Sequence, residues 1–157
     1  MRLTCQSMPA GFTLVEVLAA LAVLAVGMLG LERLMIDGLS GSRIARQHSQ
    51  AVALAADMGD RIRANGAGAG AYALAPEAPV APPANDCSPA TPCSPAELAA
   101  LDLYHWQRSV RDVLPEAQTS IVTAVVGAGP ARQYDILIRW AQTGNDDPAS
   151  FALTVQR

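Results

Sequence analysis

Glu16 has the most unusual chemical setting of any residue in this sequence. It is the only charged residue among positions 12–31, and 16 of those 20 positions are apolar. A carboxylate inside a membrane-spanning helix costs about 2.5–3.5 kcal/mol on insertion scales unless it finds a partner. If the chain were cut between Gly11 and Phe12, the new α-amine of Phe12 would lie one helical turn from Glu16. That amine, or the amine of a neighbouring chain, could neutralise the carboxylate.

The remaining reactive side chains form no catalytic or ligand-binding pattern. The sequence contains no GxSxG, HExxH or CxxC motif, and His48 and His105 fall on separate segments without an acidic or nucleophilic partner. The glycine-alanine run at 66–70 follows a helical pattern and no Gly-Lys-Ser or Gly-Lys-Thr follows it, which argues against a phosphate-binding loop. We therefore expect no enzyme activity, no catalytic residue and no cofactor.

The composition describes one membrane segment and one small soluble domain. The 157 residues are 51% hydrophobic and carry 11 basic against 14 acidic side chains, a formal charge of −3. All the basic residues are arginines scattered among the acids, so the basic patch of a nucleic-acid-binding protein is missing and no nucleic-acid partner is expected. As a helix, residues 12–31 would span about 30 Å, the thickness of a bilayer hydrocarbon core.

The string Gly11-Phe12-Thr13-Leu14-Val15-Glu16, followed by this apolar stretch, resembles the class III signal of type IV pilins and of type II secretion pseudopilins. Its small residues precede the apolar run, which is the reverse of an ordinary secretory signal. The resemblance implies that residues 1–11 are a leader removed by a prepilin peptidase and that Phe12 is N-methylated. It also implies that Glu16 docks the subunit in register within a helical filament.

The helical pattern continues beyond the membrane segment. Apolar or packing positions recur at spacings of three and four, which is typical of an amphipathic helix; they are Ile44, His48, Ala51, Ala55, Met58 and Ile62. Asn65-Gly66 predicts the end of the helix. We therefore predict one stem helix with a transmembrane half at 12–31 and a periplasmic half at 32–65.

Residues 66–157 are predicted to form a pilin-like head. The stretch 66–95, rich in alanine, glycine and proline, indicates a flexible connection. Ser94-Pro95-Ala96-Glu97 is a capping box that predicts a second helix ending near Val113. Its apolar face is predicted to contain Leu98, Leu101, and Tyr104 or His105.

After the second predicted helix, the spacing of the apolar residues changes from a helical period to alternation. Segments 120–126, 133–141 and 150–157 alternate or are rich in β-branched residues, and turn-forming residues separate them, which predicts a three-stranded antiparallel sheet. Such a sheet needs one covered face, and the second half of the stem helix is the expected cover. The predicted fold class is α+β, with a long stem helix packed on a small sheet and one extra helix.

Cys87 and Cys93 are the two cysteines outside the predicted leader, which contains Cys5. In an oxidising periplasm, a disulfide between them would stabilise the loop by about 2–3 kcal/mol. A zinc site is the competing interpretation, but zinc needs four ligands, and the segment offers neither a CxxC pair nor a nearby histidine. We therefore favour the disulfide and expect no metal.

Two further stretches narrow the resemblance to the PilV-type minor pilins, the pilus modification proteins. These stretches are residues 55–65 and Leu103-Tyr104-His105-Trp106-Gln107. Major pilins usually have a proline shortly after the apolar run and a disulfide near the carboxy terminus, whereas this chain has no proline between Pro9 and Pro76 and no cysteine after Cys93.

The resemblance implies a minor pilin that primes or modifies pilus assembly, in twitching motility or adhesion. It also implies a single-pass inner-membrane protein with a periplasmic head that is incorporated into the pilus. The implied partners are prepilin peptidase, other minor and major pilins, the inner-membrane assembly platform and membrane lipid. A type II secretion pseudopilin is one alternative, and a signal-anchored periplasmic protein that never polymerises is another.

Overall fold

The computed structural model describes residues 11, 13–76, 78–83, 86–88, 90–127, 131–142 and 147–157. The elements, in chain order, are helix α1 (Leu14–Ala64), a 3-10 helix η1 (Gly66–Ala71), helix α2 (Pro95–Val113), and strands β1 (Gln118–Val125), β2 (Arg132–Trp140) and β3 (Ala149–Gln156). The chain divides into two compact units between Ser42 and Arg43. The predicted leader lies outside the described residues except for Gly11.

In the first unit, the described part of α1 is exposed over its whole circumference, from Leu14 to Ser42. A Cβ atom added at any of its four glycines, Gly27, Gly30, Gly38 and Gly41, would meet nothing within 4 Å. Leucine and alanine have high helix propensity and make up much of this segment. Local propensity, and not packing within the unit, therefore supports the helix here.

In the second unit, α1 packs a narrow face against the sheet. The buried residues of this face are Ala51, Ala55, Met58, Gly59 and Ile62. A Cβ atom added at Gly59 would lie 3.0 Å from Cγ2 of Val155 and 3.7 Å from Cδ2 of Leu153, so Gly59 lets the helix approach β3 closely. The prediction that the second half of the stem helix covers the sheet is confirmed.

The sheet is an antiparallel meander with the order β1-β2-β3. Each strand begins one or two residues before its predicted start. Alternate residues of the strands face the helices and form the core with them; the fully or nearly fully buried ones are Ile121, Tyr134, Ile136, Ile138, Trp140 and Val155. The α+β fold class is confirmed.

Helix α2 begins where the capping box predicts. The Glu97 N–H donates to Ser94 Oγ at 3.3 Å, and the Ser94 N–H donates to Glu97 Oε2 at 2.7 Å. The predicted buried face is wrong, because Leu98 is 36% exposed. The helix instead buries a face rotated by about one residue, which consists of Ala99, Leu103, Trp106, Gln107 and Val110. Trp106 decides this orientation, since it is the largest side chain on the helix and is 1% exposed.

The prediction of a flexible connection over 66–95 is wrong at its start. Residues Gly66–Ala71 form η1, which the Asn65 side chain caps by accepting a hydrogen bond from the Gly68 N–H at 3.2 Å. The Asn65 amide also donates to the Pro95 carbonyl at 2.8 Å. Gly68 is buried where η1 meets the start of α2, and a Cβ atom added there would lie 2.3 Å from the Pro95 carbonyl oxygen. Glycine thus permits close packing here and does not confer flexibility.

Candidate functional site

Glu16 lies in the first turn of α1, where Thr13 caps the helix. The Glu16 N–H donates to the Thr13 carbonyl at 3.1 Å and faces Thr13 Oγ1 at 3.4 Å, and the Val17 N–H donates to the same carbonyl at 3.3 Å. A carboxylate at this end of a helix is also favoured by the helix dipole. Gly11 is exposed just before the cap. Because Phe12 lies outside the described residues, the contact between Glu16 and the Phe12 amine stays a prediction.

The Glu16 carboxylate has no charged partner among the described residues, whereas Asp57, Asp60 and Asp102 in the second unit pair with arginines. It stands on an apolar surface, since Leu14 is 77% exposed and the following valines and leucines are exposed as well. A carboxylate on such a surface is stable in water but costly in lipid or in a protein interface. Burial of this surface would therefore be favoured by a cation close to Glu16, and the amine of Phe12 in the same chain or in a neighbouring chain is the predicted one.

Helix α1 is long and apolar enough to cross a membrane. Its most apolar window of 18 residues has a mean hydropathy of 2.5, and none of that window is buried. A helix that is apolar on all sides and uncovered by its own chain is typical of a segment that lies in lipid or among partner helices. The exposed segment of α1 is therefore the principal candidate for an assembly surface.

A second group of polar residues joins α1, η1 and α2 inside the second unit. Arg61 Nε donates to Asp57 one turn earlier at 2.9 Å, and Arg61 Nη1 donates to Asp102 of α2 at 3.0 Å. The Tyr72 hydroxyl donates to the second Asp102 oxygen at 2.6 Å and accepts from the Asn65 amide at 3.1 Å. We call Asn65, Arg61, Tyr72 and Asp102 the corner network.

Burial determines the protonation states in the corner network. Burial raises the pKa of Tyr72 well above its usual range, and the hydrogen bond to Asp102 raises it further. Burial lowers the pKa of Arg61, but the hydrogen bonds and charges of Asp57 and Asp102 outweigh this effect and leave it above the ordinary value. Tyr72 is therefore a neutral donor and Arg61 a permanent cation, and their hydrogen bonds to Asp102 hold α1 and α2 together.

Gln107 fixes the chain after η1 to helix α2. Its carboxamide oxygen accepts from the Val80 N–H at 3.0 Å, and its amide donates to the Ala78 carbonyl at 2.8 Å and to Thr119 Oγ1 at 3.2 Å. Leu74 also exchanges two backbone hydrogen bonds with Ile121 of β1, at 3.0 and 2.9 Å. The proline-rich segment is thus held at several points along its length.

Cys87 and Cys93 form a disulfide, with their Cα atoms 5.3 Å apart, and the predicted pairing is confirmed. Inside the loop, Ser88 and Thr91 exchange two backbone hydrogen bonds at 3.1 and 3.0 Å. Cys93 directly precedes Ser94, the residue that caps α2. The disulfide therefore closes a small exposed turn immediately before the helix.

Sequence reasoning missed most of the corner network. The four-residue spacing of Asp57 and Arg61 on a helix predicts only a surface pair worth about a few tenths of a kcal/mol. In the structure the same arginine also reaches Asp102, whose side chain is only 13% exposed. The only local indication of the corner network in the sequence is the polar stretch 55–65, on which the resemblance to PilV-type minor pilins also rests. Nothing local identified Tyr72 and Asp102 as its partners.

Within the described ranges, no group of three or more histidine, cysteine, aspartate or glutamate side chains could hold a metal ion. The two histidines lie at aromatic contacts: His48 packs edge-on against Trp140 and Phe151, and His105 against Tyr104. His48 thus contacts two aromatic rings of the sheet, whereas His105 is exposed on α2 beside its neighbour in sequence.

Two sequence families match the chain. Residues 34–104 match the family described as type IV pilin Tt1218, and residues 7–31 match the prokaryotic N-terminal methylation motif. The second match contains Gly11, Phe12 and Glu16, and the first contains every member of the corner network. No curated protein and no solved structure matches the chain.

Proposed function

We propose that this chain, which belongs to the type IV pilin family, is a minor pilin that primes or modifies pilus assembly. The observation that carries the proposed assembly role is the placement of Glu16. Its carboxylate lies in the first turn of an exposed apolar helix, five residues after Gly11 and inside the match to the methylation motif. Pilins are structural proteins, so the proposed activity is assembly and not catalysis.

Processing is the first proposed step. Prepilin peptidase would hydrolyse the peptide bond between Gly11 and Phe12, and the freed amine of Phe12 would then be N-methylated. Gly11 suits the cleavage site because it is exposed and, without a side chain, lets an enzyme approach the backbone closely. The mature chain would begin at Phe12 and lose Cys5, leaving only the paired Cys87 and Cys93.

Glu16 would then set the position of the subunit among other pilins. A methylated amine remains a cation at neutral pH, and the amine of Phe12 in an adjacent subunit could pair with Glu16 as their helices come together. Because an unpaired carboxylate in an apolar interface is costly, a helix shifted along its neighbour would be disfavoured. Hydrophobic contact supplies the attraction between stems, and the charge pair supplies the register.

The exposed segment of α1 would anchor the protein in the inner membrane before assembly, with the second unit in the periplasm. The disulfide supports this location, because disulfides persist in oxidising compartments. Lipid, the assembly platform of the inner membrane, and other minor and major pilins would be the partners. A minor role is favoured by the absence of proline between Pro9 and Pro76, and thus shortly after the apolar run, and by the absence of cysteine after Cys93.

Processing is tested by the mass of the N-terminal peptide of protein recovered from membranes, with and without the prepilin peptidase. We expect a peptide beginning at N-methylated Phe12 when the enzyme is present and an uncut leader when it is absent. Reduction should add about 2 Da to the intact mass, the two hydrogens taken up by one disulfide. An uncut Met1 in the presence of the peptidase would refute the proposal and favour a signal-anchored protein that does not polymerise.

The assembly role is tested with Glu16→Ala, measured as the fraction of the protein in sheared pili relative to membranes. We expect normal membrane insertion and at least a tenfold loss from pili. Without the Glu16 carboxylate, the Phe12 amine of the adjacent subunit would be left unpaired in the interface, at a cost of about 2.5–3.5 kcal/mol. Each 1.4 kcal/mol corresponds to a factor of about ten. Glu32→Ala, on the same helix but outside the apolar segment, is the matched control and should assemble normally. Normal incorporation of Glu16→Ala would contradict the role of this carboxylate.

A deletion strain separates the pilus from the type II secretion system, since the N-terminal segment fits both. Loss of twitching motility with normal exoprotein secretion would support the minor pilin. Loss of secretion with normal twitching would instead identify a pseudopilin.

A further inference from the structure

Arg132 and Arg157 lie opposite each other at one end of the sheet. Arg132 begins β2, Arg157 directly follows β3, and their backbones exchange two hydrogen bonds at 2.7 and 2.9 Å. Side chains of residues paired in this way lie on the same face of the sheet, with Cβ atoms about 5 Å apart. Like charges directly opposite each other destabilise a sheet. An anion close to both arginines would remove this repulsion.

No acidic side chain in the described part of the chain supplies that anion. The ion pairs there join Arg61 and Arg63 to aspartates, and neither Arg132 nor Arg157 forms one. Nη1 of Arg157 donates to the Ile62 carbonyl at 3.1 Å, whereas the Arg132 side chain makes no hydrogen bond to a described residue. A carboxylate ending the main chain at Arg157 would offset only one of the two positive charges.

Both positive charges lie close to the hydroxyl group of the buried Tyr134. Burial raises the pKa of Tyr134, and the charges of Arg132 and Arg157 oppose this rise. The hydroxyl donates its proton to the Ala69 carbonyl at 2.9 Å. Because that proton is already used, the donors available to an anion here are the remaining guanidinium N–H groups of the two arginines.

The two arginines and Tyr134 line an open hollow of about 370 Å³. Its other lining residues are Gly66, Ala69 and Ala131, whose surfaces are small and apolar. The Arg157 guanidinium lies directly against Gly66, since a Cβ atom added there would overlap Nη1, Nη2 and Cζ of that side chain. Glycine at position 66 thus makes room for the guanidinium at the edge of the hollow.

We propose that Arg132 and Arg157 together bind a carboxylate group carried on a short aliphatic stem. A guanidinium donates paired hydrogen bonds to a carboxylate, and two guanidinium groups beside one hollow can share its two oxygens. The glycine and alanine surfaces contact the stem. The carboxylate has two available sources, a free organic acid and an acidic side chain of another protein. The site lies within the second unit and does not depend on the proposed pilin role.

Binding of glutarate to the full-length chain in a neutral detergent, measured by saturation-transfer NMR at constant ionic strength, tests the site. We expect saturable binding of glutarate and none of glutaramide, the uncharged diamide of the same length. Arg132→Gln should raise the Kd at least tenfold, the loss expected for one charge-assisted hydrogen bond. Arg139→Gln is the matched control, because it removes an exposed arginine at the other end of β2, and it should leave the Kd unchanged.

Gly66→Ala separates a built site from general attraction between charges. This variant keeps both arginines but displaces the Arg157 guanidinium, so we expect the Kd to rise several-fold. Gly70→Ala, where an added Cβ atom would meet no other atom within 4 Å, should bind as the wild-type chain does. An unchanged Kd in Gly66→Ala would overturn the proposed geometry.

An acetylated and amidated Ala-Glu-Ala peptide distinguishes the two sources of the carboxylate. Peptide binding at least as tight as that of glutarate would assign the site to an acidic side chain of another protein, and binding of glutarate alone would assign it to a free organic acid. Absence of saturable binding by both probes, or equal Kd values in Arg132→Gln and Arg139→Gln, would overturn the proposal. Tighter binding of inorganic phosphate than of glutarate would overturn the assignment to a carboxylate.

Discussion

The hydroxyl group of Tyr72 makes the most consequential single contact of the corner network. It donates to Asp102 at 2.6 Å, and the tyrosine side chain is fully buried. Tyr72→Phe removes this donor while keeping the shape of the ring, so among the described side chains Asp102 retains Arg61 alone as a partner. A hydrogen bond to a charged group contributes about 1.5–3 kcal/mol. We expect the free energy of unfolding of the second unit to fall by about 2 kcal/mol.

Urea unfolding of the full chain in detergent, followed by tryptophan fluorescence, measures this loss. Both tryptophans, Trp106 and Trp140, are buried in the second unit, so the signal reports on that unit alone. With a urea dependence of about 2 kcal/mol per molar, the expected loss lowers the unfolding midpoint by about 1 M.

Tyr104→Phe is the matched control. Tyr104 lies on α2 and is half-buried, and its hydroxyl makes no hydrogen bond within the described ranges. Its removal should change the free energy of unfolding by less than about 0.5 kcal/mol. Equal losses in the two variants, or a change below about 0.5 kcal/mol in Tyr72→Phe, would refute the importance of the Tyr72–Asp102 contact.

The same contact predicts a difference at alkaline pH. Burial and Asp102 raise the pKa of Tyr72 above the ordinary 10.0. Above that pH the unfolded tyrosine loses its proton while the folded one keeps it, so the unfolded state gains stability as pH rises. The wild-type chain should therefore lose stability above pH 10 more steeply than Tyr72→Phe, and the gap between them should narrow. A gap that stays constant from pH 8 to 11 would contradict this assignment.

Two further pairs of variants test the packing around the start of α2 in the same urea assay. Gly68→Ala should lower the free energy of unfolding by at least about 1–3 kcal/mol, because the new Cβ atom would lie 2.3 Å from the Pro95 carbonyl oxygen. Gly70→Ala should not destabilise the fold, because its Cβ atom would meet no other atom within 4 Å. Ser94→Ala should cost about 1 kcal/mol by removing the helix cap, whereas Ser109→Ala, in the exposed middle of the same helix, should be nearly neutral. Equal effects within either pair would contradict the corresponding contact.

The parts of the fold that depend on local signals were predictable from the sequence. The capping box at Ser94 fixes the start of α2, and alternation places the three strands to within two residues. The disulfide was predictable because Cys87 and Cys93 are close in sequence and have no alternative partner outside the leader. Each of these signals lies within a few residues of the structure that it specifies.

The parts that depend on distant residues were not predictable. Arg61 meets Asp102 across 41 residues, and Tyr72 meets the same carboxylate across 30. The face that α2 buries depends on how Trp106 packs against α1. The helical period alone does not identify this face, because leucines occur on several faces of α2. Asn65 was interpreted as a helix stop, but its second role as the cap of η1 requires the backbone of Pro95 to be nearby.

The packing of α1 also explains why polar contacts matter inside this small domain. Three of the five residues on its buried face, Ala51, Ala55 and Gly59, have small or no side chains, so only Met58 and Ile62 project into the core to define rotation and translation. Trp106 Nε1 donates to the Leu54 carbonyl at 2.8 Å, and Arg61 reaches Asp102, so a slip of the helix would break both contacts. A slip would also leave the largely buried Asp102 carboxylate short of partners, a cost that hydrophobic contact alone does not impose. Polar and charged contacts thus add to Met58 and Ile62 in fixing the register of this helix, as proposed for Glu16 between neighbouring stems.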